Sequence, residues 1–594
     1  MIVCALLLAP GAAASQAGLV VSPAPGGCFG QSTGLRHCTP VRGGMDRSSA
    51  VALSPDGRYV YVFGTHGGYA APGSVGMVAV FAREQRTDAL RQLPGPEGCI
   101  GEIAGCAPVT MGKPTEELGS TAQALIVTAD ARNVYVAAYD RIVVFARDSS
   151  TGVLTQLPGA LGCVSDASSP GSCTPARAVG LAALAISPDG ADLYSAGGSA
   201  VSALRRDPVT GALKQLPGSD QCADADGSEG CAVSGSLRIA TGVAVSPDGR
   251  SVYVTSLGTA FEGEGAVSVF ARDPVTGGIG QLAGASGCLS VNPSLSGPEC
   301  ARSAYADSPA SVLVSPDGRE VYVALGGIAA PTGESAKGRS LLPAALVEFA
   351  RDSSTGALQE ASCGALHPCA PERVIPSVFA LAIAPSGRRL AVGSIETPGA
   401  AAFFGTGNMV STFDRNTTTG ALAQPRGAGC ITDVTASLES PASVRGCTLD
   451  RAFSGVAGLA LSPDGEAAYT AGGDIQVLIT PIVAIPPQPL SLHRSRTARI
   501  RVACLAGGGR CTGRLRLQSA RRLRLGHGSA PVSLGAARFS IRAGKSQTLT
   551  VRLPSPPVRG LLNRGIHRLR VLVTATASRD GHTHPAQASL LLGL

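Results

Sequence analysis

The phrase ALSPDGRYVYVFG at residues 52–64 constrains the fold more than any other stretch, because the chain keeps rewriting it. Close copies stand at 185–197 (AISPDGADLYSAG), 244–256 (AVSPDGRSVYVTS) and 313–325 (LVSPDGREVYVAL). Looser copies stand at 382–394 and 460–472, and a degenerate one, IVTADARNVYVAA, at 126–138. Each reads as a strand, a tight turn and a strand. Pro presets φ for the turn, Gly accepts the positive φ that other residues resist, and VYV alternates to bury one face.

Each copy is followed by a variable connection and an apolar strand, as in VAVFARE (78–84), RIVVFARD (141–148), AVSVFARD (266–273) and ALVEFARD (345–352). A short turn such as DSSTG or DPVTG comes next, then a weaker strand ending in an LPG-like phrase, then a Cys-bracketed loop. The unit therefore holds four strands, a to d, in about 60–75 residues, and such a unit must lean on neighbours to bury its faces. Turns begin at Ser54, Thr128, Ser187, Ser246, Ser315, Ala384 and Ser462. Seven four-stranded units predict a seven-bladed β-propeller over residues 18–484. The seventh unit has strands a to c, ending in GDIQVLIT (473–480), but no d. GLVVSPAPGGC (18–28) resembles the d phrase GVLTQLPGALGC (152–163), so residues 18–23 are expected to supply it and close the ring.

These phrases, SPDG with VYV and then VFARD and TG-x-L, resemble the YVTN-type repeats of the seven-bladed lactonase-like propeller family. That family holds 6-phosphogluconolactonase-like and carboxymuconate-cyclising enzymes together with surface-layer repeat proteins. The resemblance covers roughly residues 18–484 and implies the fold rather than an activity, since its motifs build blades. The related enzymes use His, Glu and Arg around the channel, and none of those positions is matched here by motif.

Composition agrees with an all-β chain: 77 Gly and 41 Pro with few charges favour short strands and turns over helices. Residues 1–17 (MIVCALLLAPGAAASQA) read as a truncated secretory signal, apolar and ending in small residues, with no Lys or Arg before the apolar run. No later run is long enough for a membrane helix. Cys4 falls in the signal. The other sixteen cysteines fall as neighbours: Cys28 with Cys38, Cys99 with Cys106, Cys163 with Cys173, Cys222 with Cys231, Cys288 with Cys300, Cys363 with Cys369, Cys430 with Cys447 and Cys504 with Cys511. Their gaps are too wide and variable for zinc, and they recur once per unit, which predicts local disulfides in an oxidising compartment. The protein is expected to be secreted or associated with the cell envelope.

In such a propeller the short a–b and c–d turns share one face, and the long b–c and d–a connections share the other. The second face is the expected functional one; the alternative is that its loops are only exposed and stapled. Candidate groups for lactone chemistry on the b–c loops are His66, Asp140, Arg141, Glu262, Glu264 and Glu396. DADGSE (224–229) offers Asp224, Asp226 and Glu229 as a calcium candidate without the EF-hand loop length, against a solvated acidic loop. No GxSxG elbow, P-loop or GxGxxG after a strand stands out, and no cofactor is expected.

Beyond the Pro-rich IPPQP (485–489), residues 490–594 alternate Arg with Val, Leu or Ile, as in ARIRVAC, GRLRLQS and HRLRVLVTATA. From residue 486 there are eighteen Arg, one Lys and a single acid, Asp580, whereas the preceding part is net acidic. About seven short strands with one Cys pair predict a small immunoglobulin-like β-sandwich with a basic face. That face suits an anionic cell-wall polymer or another envelope protein, or is simply solvated. Nucleic acid is not expected, because Phe539 is the region's one aromatic residue and Trp is absent from the chain. The sequence thus points to an extracellular binding scaffold without catalysis, the alternative being a lactonase-like hydrolase at the channel mouth.

Overall fold

The computed structural model describes residues 19–594 except 24–25, 31–37, 68–73, 110, 113–123, 168–171, 259–264, 293–299, 304–305, 307, 326–345, 361–377, 395–407, 425–428, 433–446, 451–452, 454, 493–495, 506–508 and 525–528. The chain divides into two compact units, one from Val20 to Ile479 and one from Thr480 to Leu594.

The turn chemistry of the repeat is visible atom by atom. In SPDG, the Ser54 hydroxyl donates to Asp56 at 2.5 Å and accepts the Tyr59 amide at 3.0 Å, while Gly57 turns at φ 64°. The same serine–aspartate pair forms at Ser187, Ser246, Ser315 and Ser462, and Thr128 stands in for serine in the degenerate copy. In DSSTG, the Asp148 carboxylate accepts the Ser150 and Thr151 amides at 2.8 and 3.0 Å. Both phrases recur because an acceptor oxygen must meet amides that a reversing chain leaves open.

Among the described residues of the first unit, seven sheets form, spanning 47–101, 125–176, 183–233, 240–302, 309–360, 378–449 and 456–479. In the first, Arg47–Leu53, Tyr59–His66, Val75–Arg83 and a split fourth strand, Leu90–Gln92 and Cys99–Gly101, run antiparallel. Each a strand packs on the a strand of the next sheet, and the last packs on the first, so the sheets close a circle with a innermost. This is a β-propeller.

Closure uses the N-terminus. Val20 and Val21 pair with Ile479 and Leu478, and Cys28 and Phe29 pair with Gln476 and Ile475. The seventh sheet therefore takes its d strand from the chain's beginning, and the latch reaches beyond residue 23 to Phe29. Phe29 is buried and meets Phe81 edge-on, centroids 4.8 Å apart.

Two features go beyond the expected unit. The LPG-like phrase bulges out as a short 3-10 turn, for example Gly159–Gly162, which splits strand d in two. In several sheets the Cys-bracketed loop then adds a fifth strand, parallel to d: Thr174–Ala176 beside Cys163–Asp166, Ala232–Val233 beside Cys222–Asp224, and Ala301–Arg302 beside Cys288–Ser290. The disulfide ties the start of the inner strand to the residue before the outer one, covering an edge that would otherwise offer unpaired amides.

Seven disulfides are present among the described residues, joining Cys28–Cys38, Cys99–Cys106, Cys163–Cys173, Cys222–Cys231, Cys288–Cys300, Cys430–Cys447 and Cys504–Cys511. The eighth bridge expected from the sequence, from Cys363 to Cys369, is not among them. Cys369 lies outside the described residues, and so does Cys363, because both fall within 361–377. The signal-like stretch 1–17 lies outside them as well.

The second unit stacks a five-stranded sheet, carrying Arg510–Ser519, Ser533–Arg542, Arg568–Arg579 and His582–Gly593, on a three-stranded one with Thr497–Cys504 and Ser546–Arg552. One apolar core joins them, including Ile500, Val502, Leu515, Leu517, Val551, Val571 and Val573. The first strand of this unit, Val483–Ala484, precedes the Pro-rich run and pairs with Cys504 and Ala503. A helix, Ser555–Leu562, was not expected. Its prolines occupy the first turn, where their missing amides have no helical partner to lose, and Val558 and Leu561 reach the core.

Candidate functional site

On the b–c and d–a side, each candidate that is described has a local partner. His66 ends strand b of the first sheet, half-buried, with Nδ1 2.8 Å from the Gly44 carbonyl. A carbonyl can only accept, so Nδ1 carries the proton. Asp140 and Arg141 sit together at the b–c turn of the second sheet, Arg141 forking onto both Asp140 oxygens at 2.7 and 2.9 Å. The Asp140 carboxylate pushes the Arg141 pKa up. Gly112, at φ 87°, leaves the space this pair occupies: a Cβ there would lie 2.1 Å from Asp140 Oδ1. Glu262, Glu264 and Glu396 lie outside the described residues.

The DADGSE acids serve their own loop. Asp224 accepts the Gly227 amide, Asp226 accepts that of Ser228 at 3.0 Å, and Glu229 accepts that of Ala178 at 2.6 Å. Beside them a groove of about 470 Å³ is lined by Ala167, Pro175, Arg177, Gln215, Leu216 and Pro217. Its arginine is engaged with Gln215 and with the carbonyls of Gly218 and Gly230.

The opposite face carries the polar chemistry that recurs most regularly. The arginine ending strand c of one sheet donates Nε to the buried tyrosine of strand b in the sheet before it. The pairs are Arg83–Tyr469, Arg147–Tyr61, Arg206–Tyr135, Arg272–Tyr194, Arg351–Tyr253 and Arg415–Tyr322, at 2.5–3.0 Å. Five of these tyrosine hydroxyls donate to a turn glycine carbonyl of the arginine's own sheet, at Gly152, Gly211, Gly277, Gly356 and Gly420. In five joints the arginine also pairs with the SPDG-type aspartate of the tyrosine's sheet: Asp130, Asp189, Asp248 and Asp317 at 2.7–3.1 Å, and Asp464 more loosely at 3.8 Å. The SPDG phrase is thus both a turn and half of a joint.

Burial and the hydrogen bonds of the joint together fix the protonation states. Burial pushes the Tyr61 hydroxyl up to about 12, so the ring stays neutral beside Arg147. Burial works against ionised Asp189, but the Ser187 hydroxyl, the Ala191 amide and Arg272 outweigh it and hold its pKa below the ordinary value. The joint between the sixth and seventh sheets lacks both members: Ala391 stands where the tyrosine would, and Thr480 where the arginine would. Arg389 crosses instead to the Gly465 carbonyl at 3.1 Å. In the sequence alone these tyrosines and arginines read only as strand residues. Their joint absence from one boundary is the signal that could have marked them as partners.

One joint holds an extra acid. Glu348 faces Tyr322 across the b–c pair of the fifth sheet, beside Glu320, which contacts Arg415. Both carboxylates lie where a Cβ on Gly420 (φ 77°) would fall, 2.5 and 2.9 Å away. Burial first, and the Glu320 charge second, raise Glu348 to about 7, with Arg415 opposing.

The second unit concentrates uncompensated charge. Arg514 lies directly across from Arg538, and Arg510 from Arg542, on the exposed face of the five-stranded sheet. Arg514, Arg516, Arg538 and Thr576 line a shallow depression of about 440 Å³. Among the described residues no carboxylate pairs with Arg514, Arg516, Arg538 or Arg542.

The fold and these surfaces define a disulfide-stapled β-propeller followed by a basic two-sheet β unit. No protein-family model matches the chain, and no curated protein does. Solved structures that resemble it include hydrazine synthase from Kuenenia stuttgartiensis, at 15% identity over 76% of this chain and 99% of that one, TM-score 0.40. The periplasmic gluconolactonase of Pseudomonas aeruginosa matches at 16% over 66% and 85%, TM-score 0.37. The Cps50 (Swd1) β-propeller domain of Myceliophteria thermophila matches at 12% over 73% and 96%, TM-score 0.36.

Proposed function

We propose that this is an exported seven-bladed propeller joined to an immunoglobulin-like sandwich, acting as a non-catalytic binding scaffold of the cell envelope or its surroundings. The seven sheets serve as the blades, and the basic unit holds the molecule to an anionic envelope polymer. The observation that carries this reading is the allocation of polar groups. The propeller's recurring Arg, Tyr and Asp residues are consumed in joints between sheets, whereas the second unit leaves a cluster of arginines open. Seven disulfides support an oxidising destination. Among the described residues no helix is long and apolar enough to cross a membrane.

A lactonase-like role at the b–c mouth is the second reading, favoured by the charged Arg141–Asp140 pair placed there. One experiment separates the two. Full-length mature protein is mixed with isolated cell envelopes and sedimented at rising salt, and in parallel assayed on a lactone panel with the wild type and His66→Ala. Salt-sensitive sedimentation without turnover is expected. Turnover that disappears in the variant would overturn the scaffold.

A further inference from the structure

We propose that the outer face of the five-stranded sheet binds a linear phosphate-bearing polymer laid along the strand Arg510–Ser519; this rests on the envelope reading above. Cross-strand partners sit about 5 Å apart, and like charges placed so destabilise a sheet. Here two such pairs, Arg510–Arg542 and Arg514–Arg538, stand on one strand couple, with Arg516 continuing the row. Among the described residues no carboxylate pairs with them: the one acid after residue 486, Asp580, lies beside Gly509 and reaches Arg579 at 3.9 Å. A sheet that accepts this repulsion gains when an external anion neutralises it.

The geometry narrows the anion. At about 3.4 Å per residue, Arg510 to Arg516 spans about 20 Å, too long for one small ion and suited to a repeating one. Arg514, Arg516 and Arg538 line one depression, and guanidinium forks gathered there suit a phosphodiester, whose two non-bridging oxygens diverge and accept from more than one side, while Arg510 at the end of the row already donates to the Ser540 hydroxyl and carbonyl. Hydroxyls continue the donor row on the neighbouring strand, with Thr574 across from Arg516 and Thr576 across from Arg514. Among the described residues no Phe, Tyr or Trp lies on this face to stack a base, because Phe539, the region's one such residue, is buried in the core. The ligand therefore carries phosphates without bases.

The test uses the full-length mature protein and three probes: long-chain inorganic polyphosphate, polyglutamate and single-stranded DNA. The variants are Arg514→Ser with Arg538→Ser, and as control Arg499→Ser with Arg501→Ser on the other sheet, all four positions exposed. Thermal unfolding verifies that both fold. Polyphosphate binding should fall at least ~10-fold in the first variant, with the log–log salt slope smaller by about 2, and less than ~3-fold in the control. Equal losses in both variants would assign the binding to diffuse charge and overturn the proposal. So would polyglutamate or DNA binding as tightly as polyphosphate. Envelope sedimentation distinguishes the two layers. If wild type sediments with envelopes and the first variant sediments equally well and keeps its polyphosphate binding, the site is wrong and the envelope reading stands. If wild type binds polyphosphate through these arginines but ignores envelopes, the site stands and the envelope reading falls.

Discussion

Glu348 gives the propeller a pH dependence that can be worked out from its surroundings. It occupies a c-strand position filled by Val80, Val144 and Val269 in other sheets, so a carboxyl stands where the joint ordinarily holds a methyl-bearing side chain. Burial and the Glu320 charge raise it from 4.5 to about 7. A carboxyl held this far above its unfolded value stabilises the native state at low pH and costs stability as pH rises. The change begins near 4.5 and is complete just above 7. The full displacement corresponds to roughly 3 kcal/mol. Because Glu348 is only half-buried and water screens it, about half of that is the reasonable expectation, roughly 1.5 kcal/mol. Glu348→Gln keeps the shape and removes the titration. Denaturant unfolding of wild type and variant from about pH 4.5 to 8 should show nearly equal stability at the acid end. The variant should be ahead by about 1.5 kcal/mol at about pH 8. Using the difference between the two proteins cancels the other titrating groups. Curves that stay parallel across the range would refute the reasoning, as would a variant that loses ground as pH rises.

Three further outcomes follow from the joints and the latch. Tyr194→Phe strands Arg272 Nε and the Gly277 carbonyl, and should cost about 2 kcal/mol in denaturant unfolding; a loss below about 0.5 kcal/mol would show that the clasp is dispensable. Native-state hydrogen exchange should find Arg389–Ser394, in the joint without a tyrosine–arginine pair, opening at lower free energy than Asp192–Gly197. Equal protection would mean that Arg389 replaces the clasp completely. A chain beginning at Ser48 loses the d strand of the seventh sheet and the Phe29–Phe81 contact, and should unfold at several kcal/mol lower stability. A shortened chain as stable as one that keeps residues 19–47 would refute closure by the N-terminal segment.

What the sequence determined by itself was local and repetitive. SPDG and DSSTG set their own turns through side chains two or three residues away, and VYV sets a face by alternation, so both were legible in a short window. Cysteine neighbours 7 to 17 positions apart were legible for the same reason in the seven bridges described; Cys363 and Cys369 stay an expectation, since they lie outside the described residues. The latch could be read because GLVVSPAPGGC repeats a phrase found inside the chain. The tertiary structure decided the rest. Tyr194 and Arg272 are 78 positions apart, and nothing local marks them as partners until neighbouring sheets place them 2.8 Å from each other. Glu348 reads as one acid in an apolar strand, and only the fold brings Glu320 and Arg415 beside it. Alternation showed that the C-terminal strands have a basic face, but register decided that Arg514 would stand between Arg538 on one neighbouring strand and Thr576 on the other. Backbone geometry is encoded over a few residues, whereas the meeting of two side chains depends on every loop and sheet that lies between them.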